Sequence, residues 1–240
     1  MPAARAEPLR RWGRGFSPEE LAHQLARLPA LASTGPTSEN DVANDPSWHH
    51  YYSEALIALE APGPPEPSGA FERARTAIAG YAFSDPNIVR GHFDAARELI
   101  GRPMLLELKV LGLHLLCGVT VRAVRDEQTG ETSTWGFRYD TLAGHVESGA
   151  EWFLLSKEHA TGKVRFRIQA TWHEGTLPNW WTRLGFSLLS ARYQRAWHRT
   201  AYARLRTLLG ASNLPPLPHP RAILQTGQPI ATSPIREQEA

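Results

Sequence analysis

The sequence has a single cysteine and no long uninterrupted apolar run. Cys117 has no partner for an internal disulfide, and its position in the apolar run HLLCGVTV predicts a reduced thiol in the core. Residues 104–119 are the most apolar stretch, but polar residues interrupt them at strand spacing. No segment therefore approaches the roughly 20 apolar residues that span a bilayer. These absences predict a folded cytoplasmic protein with no membrane span.

Motifs for cofactors, metals and activated nucleophiles are also missing. The chain has no G-x-G-x-x-G, P-loop or G-x-S-x-G motif, and Cys117 has no neighbouring base. It also lacks H-x-H, H-x-x-x-H and C-x-x-C spacing, and the adjacent His49 and His50 would point to opposite faces of a strand. The sequence therefore predicts no cofactor and no metal, and it gives no support for nucleotide hydrolysis, redox chemistry or serine hydrolysis.

The charge balance argues against nucleic acid as a partner. The formal net charge is only +2, and the arginines near the C-terminal end of the folded region are spread around a predicted helix, which favours a solvated surface. The first 14 residues contain four arginines but no apolar core of a signal peptide, so we expect no secretory signal there.

Composition divides the chain into four segments. Residues 1–16 are basic and aperiodic, which predicts a flexible N-terminus. Residues 17–47 hold a helix, whose S-P-E-E start predicts a capping box, and then a polar linker. Residues 48–210 carry the patterns of a single α+β domain. Residues 211–240 are proline-rich, which predicts a flexible tail whose protein partner, if it has one, is unknown.

Hydrophobic periodicity predicts a meander of strands followed by one long helix. Alternation is clear in residues 104–121, 135–139 and 164–172, and polar turns separate these runs. Residues 51–60 suit a helix or a strand, and we favour a strand. Helical spacing appears in residues 71–81, where Phe71, Ala74 and Ile78 share one face, and, over the longest stretch, in residues 183–209. The predicted apolar stripe of the long helix is Leu189, Tyr193, Trp197, Ala201, Leu205 and Leu208. The predicted fold class is α+β with an antiparallel sheet.

The stretch from Trp135 to Phe153, WGFRYDTLAGHVESGAEWF, is the best candidate for a functional site. Two strand patterns flank a turn that brings a histidine close to two acidic residues. An imidazole titrates near neutral pH, and a carboxylate partner can fix its tautomer. The candidate catalytic residues are His145, Glu147 and Glu151. The alternative is structural, with His145 bonded to the backbone of its own turn and the glutamates solvated.

Aromatic residues supply the candidate ligand-binding positions. A sheet that wraps around a helix leaves space wherever side chains interdigitate incompletely, and aromatic rings could line that space. The alternative is that these rings form an ordinary core. The candidates are Trp135, Phe137, Tyr139, Trp172, Tyr193 and Trp197.

The same turn resembles the signature of uncharacterised protein family 0548. That family has an aromatic strand, a T-L-x-G-H turn, an acidic E-x-G-E step and a second strand, and the chain matches at Thr141, Leu142, Gly144, His145, Glu147, Gly149, Glu151 and Phe153. The chain departs from the pattern at Val146, where the family has proline, and at Ala150. The resemblance covers roughly residues 14–209 and is poor over residues 85–102.

The resemblance implies a START-like helix-grip fold, in which a curved antiparallel sheet wraps around the long C-terminal helix and leaves a cavity. It implies little about activity, because the family is itself uncharacterised. Three hypotheses follow. The first is a module that binds a small hydrophobic or amphipathic ligand. The second is an isomerase, cyclase or hydrolase that uses His145 and Glu147 as acid and base. The third is an interaction protein that uses its proline-rich tail and its basic C-terminal helix.

Overall fold

The computed structural model describes residues 9–38, 42–43, 45–174, 180–211, 214–217 and 236–237, and it describes side chains in these ranges except at 174, 180–194 and 236–237. The described residues form nine strands and three α-helices. The strands are β1 Leu9–Trp12, β2 His49–Leu59, β3 Val89–Phe93, β4 Pro103–Val110, β5 Leu113–Gln128, β6 Thr132–Thr141, β7 Glu147–Glu158, β8 Lys163–Glu174 and β9 Arg236–Glu237. The helices are α1 Pro18–Arg27, α2 Ala70–Ala79 and α3 Trp180–Leu209, and a 3₁₀ turn, Leu28–Ala30, follows α1.

The strands form one curved antiparallel sheet in the order β2-β8-β7-β6-β5-β4-β3. Strands β4 to β8 follow each other along the sheet because short turns join them, and β3 reaches the edge beside β4 through residues 94–102. The β4–β5 turn, for example, places Leu111 and Gly112 at φ angles of 50° and 84°, as a two-residue hairpin requires. The first long strand, β2, instead pairs with the last long strand, β8. The predicted meander and α+β class are therefore confirmed.

The main core lies between the sheet and helices α2 and α3. Alternate residues of the central strands point into it, and Phe137, Phe153 and Phe166 are at most 1% exposed. The predicted α2 stripe of Phe71, Ala74 and Ile78 is buried there as well. This is the START-like helix-grip arrangement predicted from the sequence, and it is confirmed.

Helix α3 contributes a stripe to the core that differs slightly from the predicted one. Trp197, Ala201 and Leu205 are buried as expected. Leu208 is 48% exposed, whereas Leu209 is 8% exposed. The buried stripe continues at a spacing of four residues to Leu209, because four residues bring a helix back to nearly the same face.

Helix α1 covers the opposite face of the sheet over β4 and β5. The predicted capping box at Ser17 and Glu20 is present. Leu105 and Leu116 point to this face and pack with Leu28, so β4 is buried on both of its faces. Residues Leu9–Trp12, which fall in the segment predicted to be flexible, form β1 and pair with Leu113–Leu116 of β5.

Strand β3 was not predicted. Its sequence, VRGHF, has a glycine at its centre and no clean alternation, yet it pairs with β4 over its whole length. Gly91 is needed there because a Cβ atom would lie 2.7 Å from the ring of Tyr81. Among the described residues, no helix has the length and apolar character that crossing a membrane requires.

Candidate functional site

The loop between β6 and β7 makes a tight turn that depends on Gly144. Its φ angle is 91°, a left-handed conformation that residues with a side chain rarely adopt. The amide of His145 donates to the carbonyl of Leu142 and closes the turn. Val146 then points back into the protein and packs against Leu115 and Cys117. The turn is thus folded over the end of the sheet.

Thr141 and Gly149 join the two ends of this loop. The Thr141 Oγ1 accepts from the Gly149 amide at 2.8 Å and donates to the Gly149 carbonyl at 3.1 Å. A Cβ atom on Gly149 would lie 2.3 Å from the carbonyl oxygen of Thr171 in β8, so only glycine fits. These two residues therefore fix where the acidic start of β7 lies.

A cavity of about 130 Å³ lies beside this loop. Residues of β4, β6, β7 and β8 form much of its wall, and Trp197 of α3 contributes to it. The three candidate catalytic residues all line it, as do three of the candidate aromatic residues. The lining residues are Tyr81, Val89, Leu106, Leu108, Tyr139, Thr141, His145, Glu147, Gly149, Ala150, Glu151, Ala170, Trp172 and Trp197.

Glu151 lies at the centre of a row of residues that crosses the sheet. It is directly opposite Tyr139 on β6 and Ala170 on β8, and Ala170 is opposite Tyr51 on β2. The Tyr139 hydroxyl donates a hydrogen bond to Glu151 Oε2. Glu151 is partly buried and lines the cavity.

Burial changes the acidity of both glutamates in the cavity wall. Desolvation raises the pKa of Glu151 to about 8, and the nearby Glu147 charge adds to the increase, while the Tyr139 hydrogen bond opposes it. Desolvation also raises the pKa of Glu147 to about 7. Two carboxyl groups that titrate near neutral pH thus face the same small space.

His145 lines the same cavity, but its described hydrogen bonds are to the backbone. Its Nδ1 lies 3.1 Å from the Glu147 amide and 3.0 Å from the Glu147 carbonyl oxygen. Burial lowers the pKa of His145 to about 4, so the ring is neutral at pH 7. The His145 ring therefore has a feature of each interpretation. It lines the cavity, as a catalytic residue would, and it also contacts the backbone of its own turn, as a structural residue would.

The six candidate aromatic residues have different positions. Tyr139, Trp172 and Trp197 line the cavity. Trp135 and Phe137 are buried in the main core, 3% and 1% exposed, and are not among the residues that line the cavity. The side chain of Tyr193 lies outside the described part of the chain.

Tyr81 is a lining residue that the sequence analysis missed. It follows the C-terminal end of α2, has a φ angle of 54°, and is 5% exposed. The Tyr81 hydroxyl interacts with Tyr139 as a hydrogen-bonding neighbour, although this contact falls short of standard hydrogen-bond geometry. Tyr81 is the last residue of the predicted helical pattern and no strand or helix pattern covers residues 82–88, so nothing in the sequence indicated that this ring reaches the cavity.

A second buried polar group, also missed, joins β2 to α3. Ser53 Oγ lies 2.5 Å from His198 Nδ1 and also hydrogen-bonds the Tyr202 hydroxyl. His198 is 1% exposed, and burial lowers its pKa to about 3. The Tyr51 ring packs edge-on against His198 at 4.9 Å, so this group adjoins the row that contains Glu151. A neutral His198 in a hydrogen-bonded cluster ties the helix to the sheet.

In the described part of the chain, no three or more histidine, cysteine, aspartate or glutamate side chains are arranged to hold a metal ion. His92 and His114 both bond Glu107, at 3.1 and 2.6 Å, but these groups use one another as hydrogen-bond partners. Cys117 is a free, buried thiol, as predicted, and burial raises its pKa to about 12.

Comparison with known proteins identifies a family but no activity. A family described as "Domain of unknown function (DUF1990)" matches residues 33–204, from the segment before β2 into α3. No curated protein matches the sequence significantly.

Solved structures show only low similarity. The protein TTHA0849 from Thermus thermophilus has a TM-score of 0.41 at 11% identity, covering 69% of this chain and 99% of that chain. Ara h 8.0201 has a TM-score of 0.38 at 12% identity, covering 69% and 99%. The hypothetical protein jhp0584 from Helicobacter pylori has a TM-score of 0.38 at 13% identity, covering 66% and 86%. Similarities at this level carry no argument about function.

Proposed function

This chain belongs to the DUF1990 family, whose function is unknown, and from its cavity we propose that it binds a small amphipathic ligand between the sheet and the C-terminal helix. The observation that carries the proposal is the composition of the cavity wall. Apolar and aromatic side chains form most of it, and Glu147 and Glu151 provide polar groups on one side. Such a wall suits a ligand with one apolar and one polar end.

The energetic cost of the two glutamates supports a functional role for the cavity. A carboxyl group removed from water destabilises a protein unless it is paired, and proteins concentrate such groups at functional sites. Glu151 has one described hydrogen bond, from Tyr139. Leucine at these positions would avoid the desolvation cost, and glutamine would avoid the larger cost of a buried charge, which supports a functional role for the two carboxyl groups.

The size of the cavity limits the ligand. A cavity of about 130 Å³ is smaller than the roughly 300–1,000 Å³ that drug-sized ligands occupy. It is close to the engineered cavity of about 150 Å³ that admits benzene. The part of the proposed ligand that the cavity encloses is therefore comparable in size to a single ring.

Mass spectrometry of the gently purified protein under native conditions tests this proposal. We expect a bound small molecule in the wild type and its loss in Ala170→Leu, because Ala170 lies opposite Glu151 and a larger side chain fills the cavity. Ala203→Leu, on the exposed face of α3, is the matched control and should retain the ligand. An empty wild-type protein that also fails to bind any probe in the cavity would contradict the proposal.

An enzyme of the same fold is the second candidate, and the pKa values of the glutamates favour it. A general acid or base works best when its pKa is near the working pH, and the pKa values of Glu147 and Glu151 are about 7 and 8. His145 is a weaker candidate, since its pKa is lowered to about 4. An isomerase, cyclase or hydrolase would then lose turnover, but not ligand binding, in Glu151→Gln.

Three narrower assignments accompany this proposal. We infer that the finer resemblance, to uncharacterised protein family 0548, applies, and the structural roles of Thr141, Gly144 and Gly149 in the loop support it. The buried free thiol of Cys117 supports a cytoplasmic location. We also propose that residues 48–210 are the binding domain, flanked by the helical segment 17–47, a basic N-terminus and a proline-rich tail.

A further inference from the structure

The charge of the described cavity wall has one sign. Glu147 and Glu151 are its acidic groups, and no lysine or arginine is among the described residues that line it. His145 is the remaining nitrogen base, and its ring is neutral near pH 7. The cavity therefore presents carboxyl groups without a described cationic side chain to balance them.

Four aromatic residues line the same cavity as these carboxyl groups. Trp172 and Trp197 contribute indole rings, and Tyr81 and Tyr139 contribute phenol rings. The face of an aromatic ring carries negative charge density and attracts a cation, most strongly when the cation is shielded from water. Aromatic walls combined with carboxylates are the arrangement that recognises ammonium groups.

Tyr81 provides an independent indication of a ligand. Its side chain is 5% exposed and lines the cavity, and among the described residues its hydroxyl makes only a contact with Tyr139 that falls short of standard hydrogen-bond geometry. A buried hydroxyl with such a poorly formed hydrogen bond costs free energy that a better partner in the cavity would recover. The hydroxyl oxygen can accept a hydrogen bond from an ammonium N–H group or direct its lone pairs at a quaternary ammonium.

We propose that the cavity binds a small organic cation, an amine or quaternary ammonium compound of about the size of one ring, with Glu147 and Glu151 as its counter-charges. This inference rests on the proposed function, since it names the class of ligand for the same cavity. Trp172 and Trp197 contact the cation through their indole rings, and the Tyr81 hydroxyl oxygen provides a further polar contact.

The pH dependence of binding distinguishes a cation from a neutral ligand. A cation favours ionised carboxylates, so its affinity rises with pH through about 7 and 8, and its binding releases protons. A neutral ligand that accepts a hydrogen bond from protonated Glu151 shows the opposite trend. The other titratable side chains near Glu151 are Tyr51, Tyr81, Tyr139 and His145. The pKa values of the three tyrosines are raised and that of His145 is lowered to about 4, so none of them titrates between pH 7 and 8. From α3, the exposed Arg195 interacts with Tyr51.

Isothermal titration calorimetry with the full chain tests the proposal. The probes are choline and its neutral isostere, the alcohol in which a carbon atom replaces the quaternary nitrogen. We expect choline to bind at least tenfold more tightly than the isostere, and more tightly at pH 8.5 than at pH 6. Glu151→Gln should lose about tenfold in choline affinity, while Glu158→Gln, at the exposed end of the same strand, should lose none.

The possible failures are distinguishable. If the isostere binds as well as choline, or binding weakens as the pH rises, the cation inference is overturned and the cavity keeps its proposed function. If neither probe binds while the purified protein carries a neutral molecule that Ala170→Leu excludes, the same conclusion holds. If neither probe binds and no molecule is present, both proposals fail.

Discussion

Tyr139 and Glu151 face each other directly across β6 and β7, and the tyrosine hydroxyl donates a hydrogen bond to the carboxylate of the glutamate. The hydrogen bond favours ionised Glu151, whereas burial and the charge of Glu147 favour the neutral form. The net result is a pKa of about 8, so burial outweighs the hydrogen bond. If the cavity binds a ligand as proposed, the protonation state of this pair determines the charge that the ligand meets.

Tyr139→Phe should raise the pKa of Glu151 further. The substitution keeps the ring and removes the hydroxyl that stabilises the carboxylate, so the ionised form loses a charge-assisted hydrogen bond. A carbon-13 NMR titration of the glutamate carboxyl groups measures the shift. Tyr52→Phe makes the same change outside the cavity and should leave Glu151 unaffected; an unchanged pKa in Tyr139→Phe would show that the hydrogen bond contributes nothing.

Glu151→Gln should stabilise the protein increasingly as the pH rises. The carboxyl group titrates near 4.5 when unfolded and near 8 when folded, so between these values the folded state retains a proton that the unfolded state has lost. Wild-type stability therefore falls over this window, by on the order of 3 kcal/mol, and glutamine removes the effect.

Urea denaturation of both proteins from pH 4.5 to 8.5 checks this expectation. The quantity to compare is the difference in free energy of unfolding, because the lowered pKa values of His145 and His198 give both proteins an opposite slope at acid pH. A difference that does not change with pH would mean that Glu151 is solvated.

Gly144→Ala should destabilise the protein by about 1–2 kcal/mol, because its φ angle of 91° is unfavourable for alanine. Gly130→Ala is the control, since a Cβ atom there meets no other atom within 4 Å and the turn does not require a left-handed glycine. Chemical denaturation should show a change within about 0.5 kcal/mol for the control. Equal effects at the two glycines would contradict the role assigned to Gly144.

Cys117 should report on the opening of the His145 turn. The thiol is 1% exposed, its pKa is raised to about 12, and Val146 of the turn packs against it. Iodoacetamide at pH 8 should therefore not label the native protein, although it should label the unfolded chain. Gly144→Ala should accelerate labelling, since it weakens the turn. Rapid labelling of the wild type would show that the turn does not cover the thiol.

Regular patterns made most of the fold predictable. The alternation in β8 and the helical spacing in α3 each extend over many residues. A single residue that departs from the pattern therefore does not change the predicted element. The S-P-E-E start of α1 was also predictable, because a capping box involves residues three apart. Strand β3 was not, since its pairing with β4 depends on tertiary contacts rather than on its own sequence pattern.

The acidic and histidine part of the candidate site was predictable because its residues are close in sequence, and Trp172 and Trp197 were predicted as aromatic candidates from the strand and helix patterns. His145, Glu147 and Glu151 lie on one turn and one strand, and all three line the cavity. Tyr81 comes from a distant loop, and no local spacing relates it to Glu151. Trp135 and Phe137 share the face of Tyr139 on β6, but their distance along the strand places them in the closed core. Alternation defines the face of a strand, not the position of a cavity along it.

The most direct test of this account is the ionisation of the Glu151 carboxyl group, measured by carbon-13 NMR with and without choline. We predict a pKa of about 8 in the free protein, and a decrease of one unit or more when the cation is bound. A pKa near the unperturbed 4.5 that choline leaves unchanged would contradict both the desolvated cavity and its proposed ligand.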